Sequence, residues 1–532
     1  MSETAITRRE LLRRGGGVGG ALALPMLLHS ESSSGVRRSA AASSSGLRPG
    51  ADVYESIGVR PVINARGTYT IIGGSVMLPE VRAAFEAAAR RYVHLDELAD
   101  AIGARLAALT GAEWGVVTSG CAAALTHAAA ACVAGGNPDL HVRIPDLRGF
   151  PRDEAIIPKH SRNVYDAAVR AVGLRVIEVE TMADLEAAFG PRTALVYLFA
   201  GPAADASPLS LPAIAPLAQT RGVPILVDAA AEVLSVPNVH LQHGATLVGY
   251  SGGKCLRGPQ TAGLLLGNKG LVRAAWVHSA PHHGFARGMK VGKEEAIAML
   301  MAVEMWATRD HKAEWDQWTA WLDHISRRVS TIDGTTTRIV QPVGLSNRTP
   351  SLEVLWDRQR LGVSGELVAR TLLEREPRIA LFAARSDDPS RTGVSVTPYM
   401  LAAGEEKVVA ERLRAVLASP PTDAAPTRSA LAVDLTGQWD VRIEYAASTS
   451  THMLYLRQRE NTLDGSHRGD FVTRDVSGTI EGDTLRIRSA YGEEHGDALN
   501  FTFSGTVSGD TMSGGLDMGE YMSARWTAER RK

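Results

Sequence analysis

Two hydrophobic periods divide the chain. Residues 79–91 and 92–111 place apolar side chains at helical spacing, the first opened by Pro79 and Glu80 and the second closed by Gly111. Short, mainly apolar runs follow at 114–119, 154–158, 193–199, 224–227 and 245–249, with a more polar strand, LRVIEV, at 174–179. Runs without polar alternation fit strands buried on both faces of a parallel sheet. Helical stretches lie between them, Ala-rich from Cys121, then at about 163–172 and 182–190, and after a loop within 201–222. Strand and helix in alternation predict an α/β domain. A further long helix is expected from about residue 291, and residues 341–425 read strand, strand, helix, strand, strand, helix, a small α+β domain. After a Pro- and Ala-rich linker the period changes to two. Residues 435–529 are short alternating strands parted by Asp-Gly, Gly-Asp and Ser-Gly turns, which predicts an antiparallel barrel or sandwich of about seven or eight strands. The expected division is 1–45, 46–335, 336–422, a linker at 423–434, and 435–532.

Composition narrows the choice of partners. Lys and Arg number 57 against 58 Asp and Glu, a formal net charge of −1, so the balance offers no broad basic surface for nucleic acid. Cys121, Cys132 and Cys255 are too few for a disulfide framework. His278, His282 and His283 lack partners at metal-ligand spacing, so no metal is expected. Residues 7–28 carry Arg8 and Arg9 before a Gly-rich, mildly apolar run too short for a membrane span. This start resembles a twin-arginine export signal, implying that machinery as a partner and a periplasmic or secreted location; a disordered basic tail on a cytoplasmic protein is the alternative.

The candidate chemistry gathers at strand ends. The run at 224–227 delivers Asp228 at its carboxyl end, and the run at 245–249 delivers Tyr250, Ser251 and, in a Gly-bounded turn, Lys254. Both lie where open α/β sheets bind ligands. An acid and an amine presented there suit pyridoxal 5'-phosphate: the amine carries the cofactor as a Schiff base, and the carboxylate keeps the ring nitrogen protonated. Taken singly, the Asp also reads as a helix cap and the Lys as a solvated turn residue. Ser119, Gly120 and Cys121 sit where a strand turns into a helix N-terminus, a place for a phosphate as well as an ordinary cap.

Six ordered segments carry a family resemblance: 62–74 (VINARGTYTIIGG), 111–125 (GAEWGVVTSGCAAAL), 156–173, 225–232 (ILVDAAAE), 251–267 (SGGKCLRGPQTAGLLLG) and 285–295 (FARGMKVGKEE). Residues 55–425 resemble the SelA-like branch of the fold type I pyridoxal phosphate enzymes, which includes L-seryl-tRNA(Sec) selenium transferases and D-glucosaminate-6-phosphate ammonia-lyases. The resemblance implies a large transferase-type domain with a small α+β domain, a homodimer or larger homo-oligomer, and an amino acid or amino sugar acid as substrate. It implies Lys254, Asp228 and His160 as catalytic residues, His160 by stacking on the ring. Ser119, Gly120, Cys121 and Ser251 join these three as cofactor ligands, and Arg66, Tyr69, Arg162, Arg287, Lys290 and Lys293 face the substrate. Arg378, Arg385 and Arg391 compete for the substrate carboxylate. The tail resembles lipocalin-like domains. The expected reaction is β-elimination at an α-amino acid, ahead of racemisation or aldol cleavage, tRNA-dependent selenium transfer, and a non-catalytic envelope-binding role.

Overall fold

The apolar runs and the more polar 174–179 strand, joined by Gly263–Gly267, become one seven-stranded sheet. In the computed structural model, which describes residues 46–384, 386–421, 434–492 and 498–532, these strands are β1 (Trp114–Thr118), β2 (Glu154–Pro158), β3 (Arg175–Val179), β4 (Thr193–Phe199), β5 (Ile225–Asp228), β6 (Leu247–Ser251) and β7 (Gly263–Gly267). The twin-arginine-like stretch, Arg385 and most of the linker lie outside the described residues. The strand order is β1-β7-β6-β5-β4-β2-β3, with β2 to β6 paired in parallel and β7 antiparallel to both of its neighbours. β1, β2, β6 and β7 are buried along almost their whole length, which is why their sequences show no alternation.

Helices cover both faces. α1 (Pro79–Ala89) and α2 (Leu95–Thr110) match the helical periods, with Pro79 in the first turn and Gly111 closing α2 in the left-handed conformation. α3 (Gly120–Ala134) is apolar on nearly every side and buried accordingly. The helix expected at 163–172 is instead a 3-10 turn, Val164–Asp166, and one helical turn, Ala167–Arg170. Buried Asp166 accepts from Arg162 at 2.7 Å and Arg170 at 2.6 Å across this stretch. α4 (Leu211–Thr220) and α5 (Lys293–Thr308) follow expectation. α6 (His311–Val329), capped by Asp310, extends beyond the periods read from the sequence.

The small domain keeps its expected order. β8 (Thr335–Val340), β9 (Ser351–Asp357), β10 (Phe382–Ala384) and β11 (Arg391–Val396) form an antiparallel sheet in the order β10-β11-β9-β8, with α7 (Gly365–Glu374) and α8 (Glu405–Ala418) packed around its core. The run at 379–384 divides. Ile379 and Ala380 pair in parallel with Ile63 and Asn64 instead of joining the sheet, which ties the N-terminal segment to the small domain. Residues 46–61 form a separate unit with an Arg48–Asp52 ion pair and a 3-10 turn closed by Gly58.

Residues 437–530 close into an eight-stranded antiparallel barrel, resolving the expected barrel or sandwich. Each strand pairs with the next, and the last returns to the first through Trp439↔Arg530 and Ile443↔Trp526. Closure removes every exposed strand edge. Trp439, Phe503 and Trp526 fill the interior, with burial of each large apolar side chain worth about 1.5–3 kcal/mol. Among the described residues, no helix is long and apolar enough to cross a membrane, and no group of three or more His, Cys, Asp or Glu is arranged to hold a metal ion.

Candidate active site

Strand register brings the candidate residues together. β5 and β6 run side by side with Asp228 opposite Gly249, and β6 pairs with β7 so that Ser251 faces Gly263. Asp228 is 1 % exposed. Its Oδ1 accepts from the Ala230 N–H at 3.0 Å and the Cys121 thiol at 3.5 Å, and its Oδ2 from the Tyr197 hydroxyl at 3.1 Å. Burial pushes the Asp228 carboxyl up, while these donors and the Lys254 charge oppose the shift. Cys121 and Tyr197 are both pushed up, first by burial and then by the Asp228 charge. They therefore remain neutral donors to Asp228. Tyr197 was not among the residues singled out from the sequence, since a single phenol inside an apolar run looks like core. Asn163 Nδ2 donates to the Tyr197 hydroxyl at 3.5 Å.

Lys254 is half-buried in the turn after β6 and within electrostatic reach of both Asp228 and Cys121. Among the described residues its ammonium makes no hydrogen bond or ion pair. Glycines shape the ground around it. A Cβ on Gly253 would lie 2.6 Å from the Gln260 backbone, and one on Gly74 would lie 2.7 Å from the Gly253 carbonyl. Arg257, three residues on, holds the left-handed conformation at φ 55°, a backbone arrangement most side chains avoid.

The proposed cradle is formed by the turn from β1 into α3. Gly120 has φ +81° at the helix start, and a Cβ on Gly263 would lie 2.4 Å from the Gly120 carbonyl carbon and 2.6 Å from the Cys121 nitrogen. Only glycine lets β7 approach that closely. Among the described residues, the Ser119 and Ser251 hydroxyls make no hydrogen bond. A helix N-terminus with adjacent free hydroxyls is suited to holding an anion.

His160 follows β2 on the 3-10 turn Lys159–Ser161. Its Nδ1 meets the Ser161 hydroxyl at 3.1 Å, and the Leu209 backbone also acts on the ring. Ser161 Oγ also accepts from the Phe199 N–H at 3.1 Å, and Phe199 lies opposite Asp228 in the sheet. Burial pushes His160 down, favouring the neutral ring.

The substrate-side candidates fare unequally. Asn64 Oδ1 accepts from the backbone of Arg66 and Gly67, both at 3.0 Å, and fixes that turn. The Arg66 guanidinium lies 4.2 Å from the Phe382 ring centroid and 5.1 Å from that of Tyr69, with its buried Nε unpartnered. Such a cation sits ready for a carboxylate. Arg162 is instead held by Asp166 and Glu178 at 2.7 and 2.8 Å, and Lys293 by the Ala88 carbonyl and Glu294; both side chains are committed to the protein itself. Arg287 and Lys290 are exposed. In the small domain, Arg378 donates to the Leu373 carbonyl at 2.7 Å and Arg391 to Thr336 and the Leu355 carbonyl, so these two serve local structure.

Two cavities flank this ground. One of about 260 Å³ is lined by Arg66, Tyr69, Phe382 and Thr397. Another of about 790 Å³ is lined by Lys254, Cys255 and a set of tryptophans from the end of α5 and from α6. Asn347 and Tyr399 border both, and the Tyr399 hydroxyl bonds Thr68 at 2.6 Å.

No protein-family model matches the chain. It is 30 % identical over 375 residues to the D-glucosaminate-6-phosphate ammonia lyase of Salmonella typhimurium (strain 14028s / SGSC 2262), covering 69 % of this chain and 98 % of that protein. A solved structure of a D-glucosaminate-6-phosphate ammonia-lyase aligns with a TM-score of 0.61 at 29 % identity, over 69 % of this chain and 98 % of the other. A 5'-C-glycyluridine monooxygenase-decarboxylase from a Streptomyces species is 31 % identical over 299 residues, 54 % of this chain and 73 % of that protein. An L-seryl-tRNA(Sec) selenium transferase of Moorella thermoacetica is 27 % identical over 287 residues, 47 % of this chain and 57 % of that one.

Proposed function

Because this chain belongs to the family of D-glucosaminate-6-phosphate ammonia-lyase, we propose that it is a pyridoxal 5'-phosphate enzyme of fold type I that eliminates ammonia from an amino acid or amino sugar acid. The observation that carries this reading is the buried Asp228, supplied with three donors, beside the unheld Lys254 amine. Asp228 would hold the cofactor ring nitrogen, the Ser119–Cys121 turn and Ser251 its phosphate, and His160 its ring face. The unbonded Ser119 and Ser251 hydroxyls and the glycine-only approach of Gly263 fit such an occupant. When bound, the cofactor supplies a ring that accepts the electrons left at the substrate α-carbon. Arg66, fixed between Tyr69 and Phe382, orients the substrate carboxylate. The Lys254 amine, held near Asp228 without a bond of its own, takes the α-proton. Burial around Asp228 excludes water and strengthens these charge interactions.

The test is a screen of amino acids and amino sugar acids that records α-proton exchange, ammonia and keto-acid release together. Joint release of ammonia and keto acid is expected. Exchange with inversion and no ammonia would replace elimination with racemisation, and no exchange at all would remove the enzyme reading. The same reading favours a homodimer, because Ile71, Val76, Tyr92 and Val93 leave exposed apolar surface between residues 71 and 93 that a second copy would cover. Sedimentation velocity should give twice the chain mass, and a monomer would contradict this.

A further inference from the structure

The cavity beside Lys254 is much larger than a small amino acid needs. At about 790 Å³ it falls within the roughly 300–1,000 Å³ that accommodates a drug-sized ligand. Trp315, Trp318 and Trp321 recur every three residues along α6 and line it together with Trp306. All four are half-buried. The Trp306 N–H is spent on the Leu234 carbonyl at 2.6 Å, and Arg309 lies over its ring at 5.1 Å. Trp318 stands edge-on to Tyr399, with centroids 6.0 Å apart. Aromatic walls of this kind favour flat, polarisable faces.

The charges of the lining divide into paired and unpaired. Arg309 is held by Glu314 at 2.9 and 3.0 Å, and Lys312 pairs with Asp316. Arg257 donates to the Val76 carbonyl at 2.9 Å and feels the Glu314 charge at longer range, and Arg348 is exposed and lines the cavity; among the described residues neither forms an ion pair. The cavity therefore joins stacking surfaces with spare positive charge. It shares Asn347 and Tyr399 with the smaller Arg66 cavity.

We propose that this cavity receives the part of the substrate beyond its β-carbon, and that this part is an aromatic or heteroaromatic ring bearing an anionic group, seated against Trp315, Trp318 and Trp321 with Arg257 and Arg348 at the charged end. The proposal rests on the reading of Lys254 as the residue at the α-carbon, and it narrows the substrate from amino acids at large to ring-bearing anionic ones.

The experiment uses the full-length, cofactor-loaded protein with alanine, phenylalanine, 4-carboxyphenylalanine and glucosaminate 6-phosphate. It reads half-saturation of α-proton exchange in deuterium oxide and, separately, quenching of tryptophan fluorescence. 4-Carboxyphenylalanine should half-saturate at least about tenfold below alanine and glucosaminate 6-phosphate, with phenylalanine between, and should quench over the same concentrations. Trp318→Ala should weaken 4-carboxyphenylalanine about tenfold while Trp318→Phe, which retains a ring, weakens it far less. Arg348→Gln should erase the advantage of the carboxyl over phenylalanine. Equal half-saturation by alanine and the ring-bearing acids, or tightest binding of glucosaminate 6-phosphate, overturns the proposal. Without exchange of any amino acid the underlying reading of Lys254 fails, and the cavity is then judged by fluorescence alone: quenching supports it and no quenching overturns it.

Discussion

Replacing Lys254 with alanine should reduce turnover by roughly 10²–10⁴-fold through loss of the base alone, with loss of covalent cofactor attachment adding to that. The effect is expected to be chemical, not structural. Among the described residues the Lys254 ammonium has no hydrogen bond or ion pair, so truncation removes only the support its charge gives to Asp228. A loss of about 1 kcal/mol, ordinary for a single substitution, is expected. Thermal melting of the cofactor-free protein should therefore fall only slightly while turnover collapses. A large fall in melting temperature would assign Lys254 to the fold instead.

Asp228→Asn should produce the opposite separation. A hydrogen bond to a buried charge is worth about 1.5–3 kcal/mol, so cofactor affinity should fall roughly 10- to 150-fold. The cofactor-free protein should become more stable at neutral pH. Burial raises the Asp228 carboxyl above its ordinary value, so the folded chain binds that proton more tightly than the unfolded chain does. This contribution is fully present below the unfolded value of about 3.9 and is lost as pH rises through the raised folded value. Asparagine carries no charge and escapes the loss. Its advantage in urea midpoint should be clear at pH 7 and vanish near pH 4; a variant less stable than the parent at pH 7 would contradict this account of Asp228.

The sheet and the strand-end residues were readable because burial on both faces leaves a distinctive mark, an unbroken apolar run, and the residue ending that run is the one presented at the sheet edge. Asp228, Ser251 and the turn before α3 were located that way. Other features depend on neighbours that only the folded chain brings together. Arg162 and Lys293 carry the same charge as Arg66, yet Glu178, Asp166 and Glu294 occupy the first two, whereas Phe382 and Tyr69 flank the third. Asp166 and Glu294 were within local reach, four residues and one residue along the chain, but the Glu178 contact and the placing of Phe382 against Arg66 needed the fold. Tyr197 was hidden because its hydroxyl finds Asp228 across the β4–β5 register. The tryptophans of α6 had a visible period of three, but nothing local indicated that they would line a cavity beside Lys254. The division of residues 379–384 between two sheets was likewise set by Ile63 and Asn64, far away in sequence.

Covalent attachment of the cofactor at one lysine is the claim on which the rest depends. Reconstitution with pyridoxal 5'-phosphate, reduction with borohydride and peptide mass mapping test it directly. A single reduced pyridoxyl group on the peptide containing Lys254 is the predicted result, and no label there after reconstitution, or label on another lysine, would contradict it.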